Sequence, residues 1–163
     1  MPELIEVIDD DFNVLKVVPR DEIIEKNLKH KSVVVILRNN KNKFFVTQRK
    51  SRRRLFPLKW DLGVTGFVRE GESFEQAAAR ELKNELDVEA SLQFLFDFDY
   101  KSDVQDLKAK GFLVFYDDEI VLNKDECQDG KWISLKELEY FIDSKLLSRD
   151  TAFIGDKYIE SLT

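Results

Sequence analysis

Glu81, Asn84 and Glu85 stand three and four positions apart in the run ARELKNEL. On a helix that spacing puts their Cβ atoms on one face, roughly 5–6 Å apart, so two carboxylates and an amide oxygen converge. Hard cations such as Mg²⁺ take oxygen ligands of this kind and usually keep water and substrate phosphate in their remaining positions. Leu82 lies about 100° round the helix from Glu81, which lets an apolar stripe pack on a sheet while the oxygen-bearing face looks into a cleft. Taken alone, such a pair is more often a set of solvated helix charges, helped here by neighbours such as Lys83, than a metal site.

Those residues all fall within GFVREGESFEQAAARELKNELDV, residues 66–88. The stretch closely resembles the Nudix box, the strand-loop-helix signature of hydrolases acting on nucleoside diphosphates linked to another moiety. The resemblance implies that Glu81 and Glu85 are metal ligands and catalytic carboxylates, with Asn84 and the Gly66 carbonyl as further ligand positions. Arg80 would orient the acidic cluster and Glu72 would brace the loop against the helix. It also implies Mg²⁺ or Mn²⁺ as cofactor and a small-molecule diphosphate as substrate. Such a metal neutralises phosphate oxygens and lowers the pKa of a bound water that attacks phosphorus. Two positions depart from the pattern. Asn84 stands where the box usually carries the first of two adjacent glutamates, and offers a neutral oxygen in place of a charge. Asp87 replaces the usual glycine, and is expected to end the helix in a left-handed conformation that aspartate tolerates better than most residues.

A second feature is the basic linker KSRRRLFPLK, residues 50–59, preceded by Gln48 and Arg49. Guanidinium groups at the mouth of a cleft can clamp diphosphate oxygens. Arg49 and Arg54 are the preferred substrate-binding candidates, chosen by position from a set that includes Lys50, Arg52, Arg53 and Lys59. The plainer alternative is a solvated loop. Trp60 and Phe67 either stack on a base or fill the core. Asp125, Glu126 and Asp129 could supply a remote base or ligand, although an exposed acidic loop is the commoner outcome. His30, the only histidine, precedes an apolar strand and is expected to be a structural hydrogen-bonder.

These residues need a scaffold. Ser73 to Leu86 repeats apolar residues every fourth position through Phe74, Ala78, Leu82 and Leu86, and Ser73 with Gln76 has the form of a capping box. Strands are expected at 32–37 and 44–48, joined as a hairpin, then near 62–67, 92–100, 112–116 and 132–133; closing helices are expected at 135–142 and 152–162. Residues 1–28 read as an N-terminal hairpin and short helix, and 29–163 as the core of a single Nudix domain. The expected class is α/β (α+β), a mixed sheet sandwiched between helices.

Composition narrows the functions. A chain of 163 residues with 43% hydrophobic and 36% charged residues suits one globular domain. Its 26 basic and 32 acidic residues give a net charge of −6, which argues against coating long nucleic acid. With one cysteine, no signal-peptide pattern and no long apolar run, a cytoplasmic location without membrane association is the default expectation. Dimers are the commonest soluble assemblies, which makes a homodimer the first to test.

The whole-chain organisation also resembles the Nudix subgroup related to isopentenyl-diphosphate isomerase, through the hairpin, the histidine before a strand, FPLKWDLGVTGF and DECQDGKW. That isomerase needs a cysteine just before the box glycine, a histidine just after it and a later carboxylate pair. This chain carries Thr65, Phe67 and, by register, Lys108 and Lys110, so the proton-moving acid and base are missing and isomerisation is rejected. The rival from another class is a catalytically weakened Nudix-fold module that binds nucleotide or protein, with Asn84 as its mark.

Overall fold

In the computed structural model, which describes residues 3–162, an N-terminal hairpin of β1 (Leu4–Ile8) and β2 (Val14–Pro19) leads into α1 (Arg20–Lys26). Then come β3 (His30–Arg38), β4 (Phe44–Arg49), β5 (Trp60–Leu62), β6 (Val64–Phe67) and α2 (Phe74–Leu86). The chain continues through β7 (Gln93–Lys101), β8 (Asp106–Phe115), β9 (Cys127–Ile133), α3 (Leu135–Asp143) and α4 (Arg149–Ser161). The main sheet is mixed: β3 runs parallel to β8 and antiparallel to β6, and β7 closes antiparallel on β8.

The expected hairpin of β3 and β4 closes only at its base, where Arg38 faces Phe44. Beyond that pair the strands part, β4 running between β5 and β9 while β3 runs between β6 and β8. The single strand expected near 62–67 is two, broken at Gly63. Its φ of +71° is left-handed, and a Cβ there would lie 1.8 Å from the Val35 carbonyl oxygen. Only glycine fits, and the turn transfers the chain from β4 to β3, delivering Gly66 to the middle of the molecule.

Alternation along β3 sends its side chains to both faces of the sheet. Val33, Val35 and Leu37 meet Ala77, Ala78, Leu82 and Leu86 of α2 on one side, while Ile36 meets Leu138 and Phe141 of α3 and Tyr158 of α4 on the other. Full burial of a side chain such as Leu82 or Leu86 stabilises by about 1.5–3 kcal/mol, which pins α2 to the sheet. No helix among the described residues is long and apolar enough to cross a membrane.

Candidate active site

The loop from Val68 to Ser73 and the first turns of α2 hold the acidic residues in place. Ser73 caps the helix, accepting from the Gln76 backbone N–H at 3.1 Å while Gln76 Oε1 accepts from the Ser73 N–H at 2.9 Å. Arg80 reaches back along the helix and donates to both carboxylate oxygens of Glu72, at 2.8 and 2.9 Å, and to the Phe67 carbonyl at 2.9 Å. A further N–H of the same guanidinium, on Nη1, donates to Glu81 Oε1 at 2.5 Å. Burial works against the Arg80 charge, yet the bonds to Glu72 and Glu81 outweigh it and hold the group more firmly protonated than a free guanidinium. One arginine thus fastens loop, strand end and helix together and sets the direction of Glu81.

Gly66 contributes room. A Cβ there would lie 2.4 Å from the Glu81 carboxylate, so the glycine lets that carboxylate lie against the strand. The Gly66 carbonyl accepts from Ser32 Oγ at 2.9 Å, which leaves a lone pair for another partner.

Glu85 is partly exposed as a residue, but its Oε2 is shut from solvent with no hydrogen-bond partner among the described residues. Its Oε1 lies 3.5 Å from the Cys127 thiol. Burial first, and Glu81 second, push its pKa well above the usual carboxylate range. Two carboxylates with an orphaned buried oxygen form a donor set that a hard cation would satisfy. A divalent metal fits this donor set; Glu81 and Glu85 would hold it, with the neutral oxygens of Gly66 and Asn84 as further ligand positions. Among the described residues no three His, Cys, Asp or Glu side chains cluster as a metal site, in keeping with an amide at position 84. Asn84 is exposed, lines the cleft, and its backbone carbonyl accepts from Asn123.

The acidic residues line a narrow cleft of about 90 Å³ together with Arg49, Arg53, Asp61 and Cys127. A wider cavity of about 320 Å³ adjoins it, sharing Arg20, Arg49, Arg53, Thr65 and Gly66. The two arginines preferred from the sequence sit differently. Arg49 lines both spaces but is tied at 3.0 Å to the buried Asp61 and at 2.9 Å to the Leu55 carbonyl. Arg54 lines only the wider cavity and lies 3.7 Å from Glu25. Lys59 bonds the Lys145 carbonyl and Arg52 the Asp125 carbonyl. Of the acidic trio near β9, Glu126 lines the cleft, whereas Asp125 and Asp129 do not.

His30 lies outside the cleft, buried against the Phe67 ring with centroids 4.3 Å apart, its Nδ1 2.9 Å from the Leu28 carbonyl. Trp60 packs edge-on against Phe141, while Phe67 lines the wider cavity under the Arg20 guanidinium. Residues that sequence reasoning passed over include Glu3, which ties Arg20 and Arg69 together at the cleft, and Asp61, which also accepts from Ser148 at 2.6 Å. Neither carries a local signal, because strand pairing alone brings them in.

Comparison with known proteins settles the family. The model of the NUDIX domain matches residues 28–152. The chain belongs to the Nudix family. An uncharacterized Nudix hydrolase of Streptomyces coelicolor is 32% identical over 100 residues, 60% of this chain and 55% of that protein. The chain thus spans little more than half the length of that relative. An isopentenyl-diphosphate Delta-isomerase of Photorhabdus laumondii is 24% identical over 149 residues, covering 88% of this chain and 84% of the isomerase. In three dimensions the Nudix fold here superposes on a Deinococcus radiodurans crystal structure with a TM-score of 0.82 at 22% identity, covering 95% of this chain and 98% of that one.

Proposed function

We propose that this Nudix protein is a pyrophosphohydrolase that cleaves a phosphoanhydride bond in a nucleoside diphosphate derivative or a similar small organic diphosphate, in dependence on Mg²⁺ or Mn²⁺. The observation that carries this reading is the Arg80 clamp, which holds Glu81 beside Glu85 while Glu85 Oε2 is left with no partner among the described residues. Bound divalent metal would supply charge neutralisation at phosphate oxygens and a water of lowered pKa. The chain's own residues do the rest. Glu72 and Arg80 fix the geometry, and Glu81 and Glu85 provide both ligand oxygens and the proton acceptor, since the only histidine is buried behind Phe67. Arg49 and Arg54, at the adjoining cavity, are the substrate-binding candidates from the sequence, and Arg49 acts through the loop it holds against Asp61.

The test is a panel of nucleotide sugars, dinucleoside polyphosphates, NADH, ADP-ribose and coenzyme A with Mg²⁺ or Mn²⁺. At least one should release phosphate or nucleoside monophosphate, and Glu85→Gln should cut kcat by about 10²-fold or more, as expected for loss of a group stabilising the transition state. The binding-module reading draws on the exposed amide of Asn84 where a third carboxylate would complete the cluster. No turnover across the panel, with metal binding unchanged in Glu85→Gln, would favour it instead.

A further inference from the structure

Two groups in the wider cavity are left unused by the acidic end of the cleft. Arg53 lines both spaces, and no carboxylate among the described residues lies within ion-pair distance of it. Burial, then Arg49 and Arg20, oppose its charge. A guanidinium stays protonated in proteins, so this one is suited to an anion brought from outside.

Gln105 is the second group. It is only 8% exposed, stands just before β8, and lines both the wider cavity and a small one of about 10 Å³ shared with His30. Gln105 Oε1 and His30 Nε2 are both shut from solvent without hydrogen-bond partners among the described residues. Because His30 Nδ1 faces a carbonyl at 2.9 Å, it carries the ring proton and leaves Nε2 an acceptor. Gln105 Nε2 has no bond among the described residues, yet unlike Oε1 it is not shut from solvent, so the amide has a donor left for the wider cavity that it lines.

We propose that Arg53 and Gln105 fix the substrate's orientation: its diphosphate crosses the throat at Arg53, and a heterocyclic base enters the wider cavity with a ring nitrogen or carbonyl accepting from Gln105 Nε2. This rests on the phosphoanhydride reading above. The remaining walls favour a base over other organic groups. Ile24, Leu55, Phe56 and Phe67 offer apolar surface beside the polar side chains of Asp21, Ser32 and Arg52; an alkyl chain would leave the amide and these polar groups unbonded, and a sugar would leave the apolar surface uncovered. A flat base has apolar faces and polar edges, matching both.

Calorimetry in Mg²⁺ with α,β-methylene analogues of ADP, GDP, CDP and UDP, against methylenediphosphonate as a probe without a base, tests the assignment. At least one analogue should bind tenfold or more tightly than methylenediphosphonate. Gln105→Leu should cut that preference about fivefold to tenfold, the worth of one neutral hydrogen bond. Gln105→Glu, which keeps the shape and places an acceptor where a donor is needed, should cut it at least as far. Arg53→Gln should weaken both kinds of probe by a similar factor, about tenfold or more. Equal binding with and without a base, or a preference unmoved by both Gln105 variants, overturns the proposal. Base preference without turnover on the panel would sink hydrolysis and keep the pocket, whereas turnover without base preference would do the reverse.

Discussion

At the scale of single residues, the site depends on what is missing as much as on what is present. Gly66 has no side chain, and the space is occupied by the Glu81 carboxylate at 2.4 Å from where a Cβ would stand. Gly66→Ala should therefore push Glu81 out of line and lower kcat by about 10²-fold, in keeping with the loss that a 1 Å misplacement brings, with near-native circular dichroism. Wild-type turnover in that variant would show that Glu81 need not lie against the strand. Glu85 gives a prediction of opposite sign for stability. Its pKa is raised in the fold, so the stability tied to its neutral form is complete below its ordinary value of 4.5 and is lost as pH rises through the raised folded value. Metal-free Glu85→Gln, which removes the buried charge, should thus melt higher than wild type at pH 8, and Mg²⁺ should raise the wild-type melting temperature but not the variant's. An equal Mg²⁺ shift in both would remove Glu85 from the metal site. Asn84→Glu adds the charge that position lacks, and should raise turnover at limiting Mg²⁺; unaltered rates would show that metal affinity does not limit the enzyme.

At the scale of elements, α2 carries the proposed metal ligands and is the element whose ends are fixed by its own sequence. The capping box at Ser73 and Gln76 and the left-handed Asp87, with φ 53° and ψ 42°, both form as the local signals require. Ser73→Ala should cost about 1 kcal/mol, lowering the melting temperature by about 2–4 °C while KM stays within twofold; a larger rise in KM would mean that the cap also shapes the cleft. What was decided by neighbours in sequence along α2 was legible beforehand: the helix and its caps. What was not legible was decided by strand pairing. Nothing in VVVIL or FFVTQ says that β3 and β4 part after one pair, because both runs are apolar on both faces and would suit either partner. The early start of β8 at Asp106 was hidden because Lys108 and Lys110 look polar alone, whereas they pair with Asp99 and Asp97 across the ladder. The linker's roles were equally hidden: which arginine is tied to Asp61, and which has no ion-pair partner among the described residues, depends on β5 lying against β4.

At the scale of the whole molecule, the N-terminal hairpin and α1 are joined to the Nudix core where the site is built. Ile5, Val7, Val18 and Ile23 pack together over Phe67, and Glu3 reaches Arg69 beside the clamp. His30 sits under this junction, so its titration reports on the attachment. Burial drives its pKa from the ordinary 6.5 down to about 4. The folded state therefore favours the neutral ring, and the unfolded chain binds the extra proton first. Stability from this source is complete above 6.5 and is lost as pH falls toward 4, by about 3 kcal/mol over the full interval. Glu3 and Glu72, whose pKa values their arginine partners lower, lose stability in the same direction but below the ordinary carboxylate value, so the two sources separate in pH. Glu85 and Asp150, whose pKa values burial raises, act in the opposite direction, so the histidine contribution is read as the difference in urea midpoint between wild type and His30→Gln, measured every half unit from pH 7.5 to 3. That difference should shrink as pH falls from 6.5 toward 4, while the carboxylate fall at lower pH is common to both proteins. An unchanged profile in the variant would mean that His30 titrates alike in the folded and unfolded chain, and that burial at this junction does not favour the neutral ring.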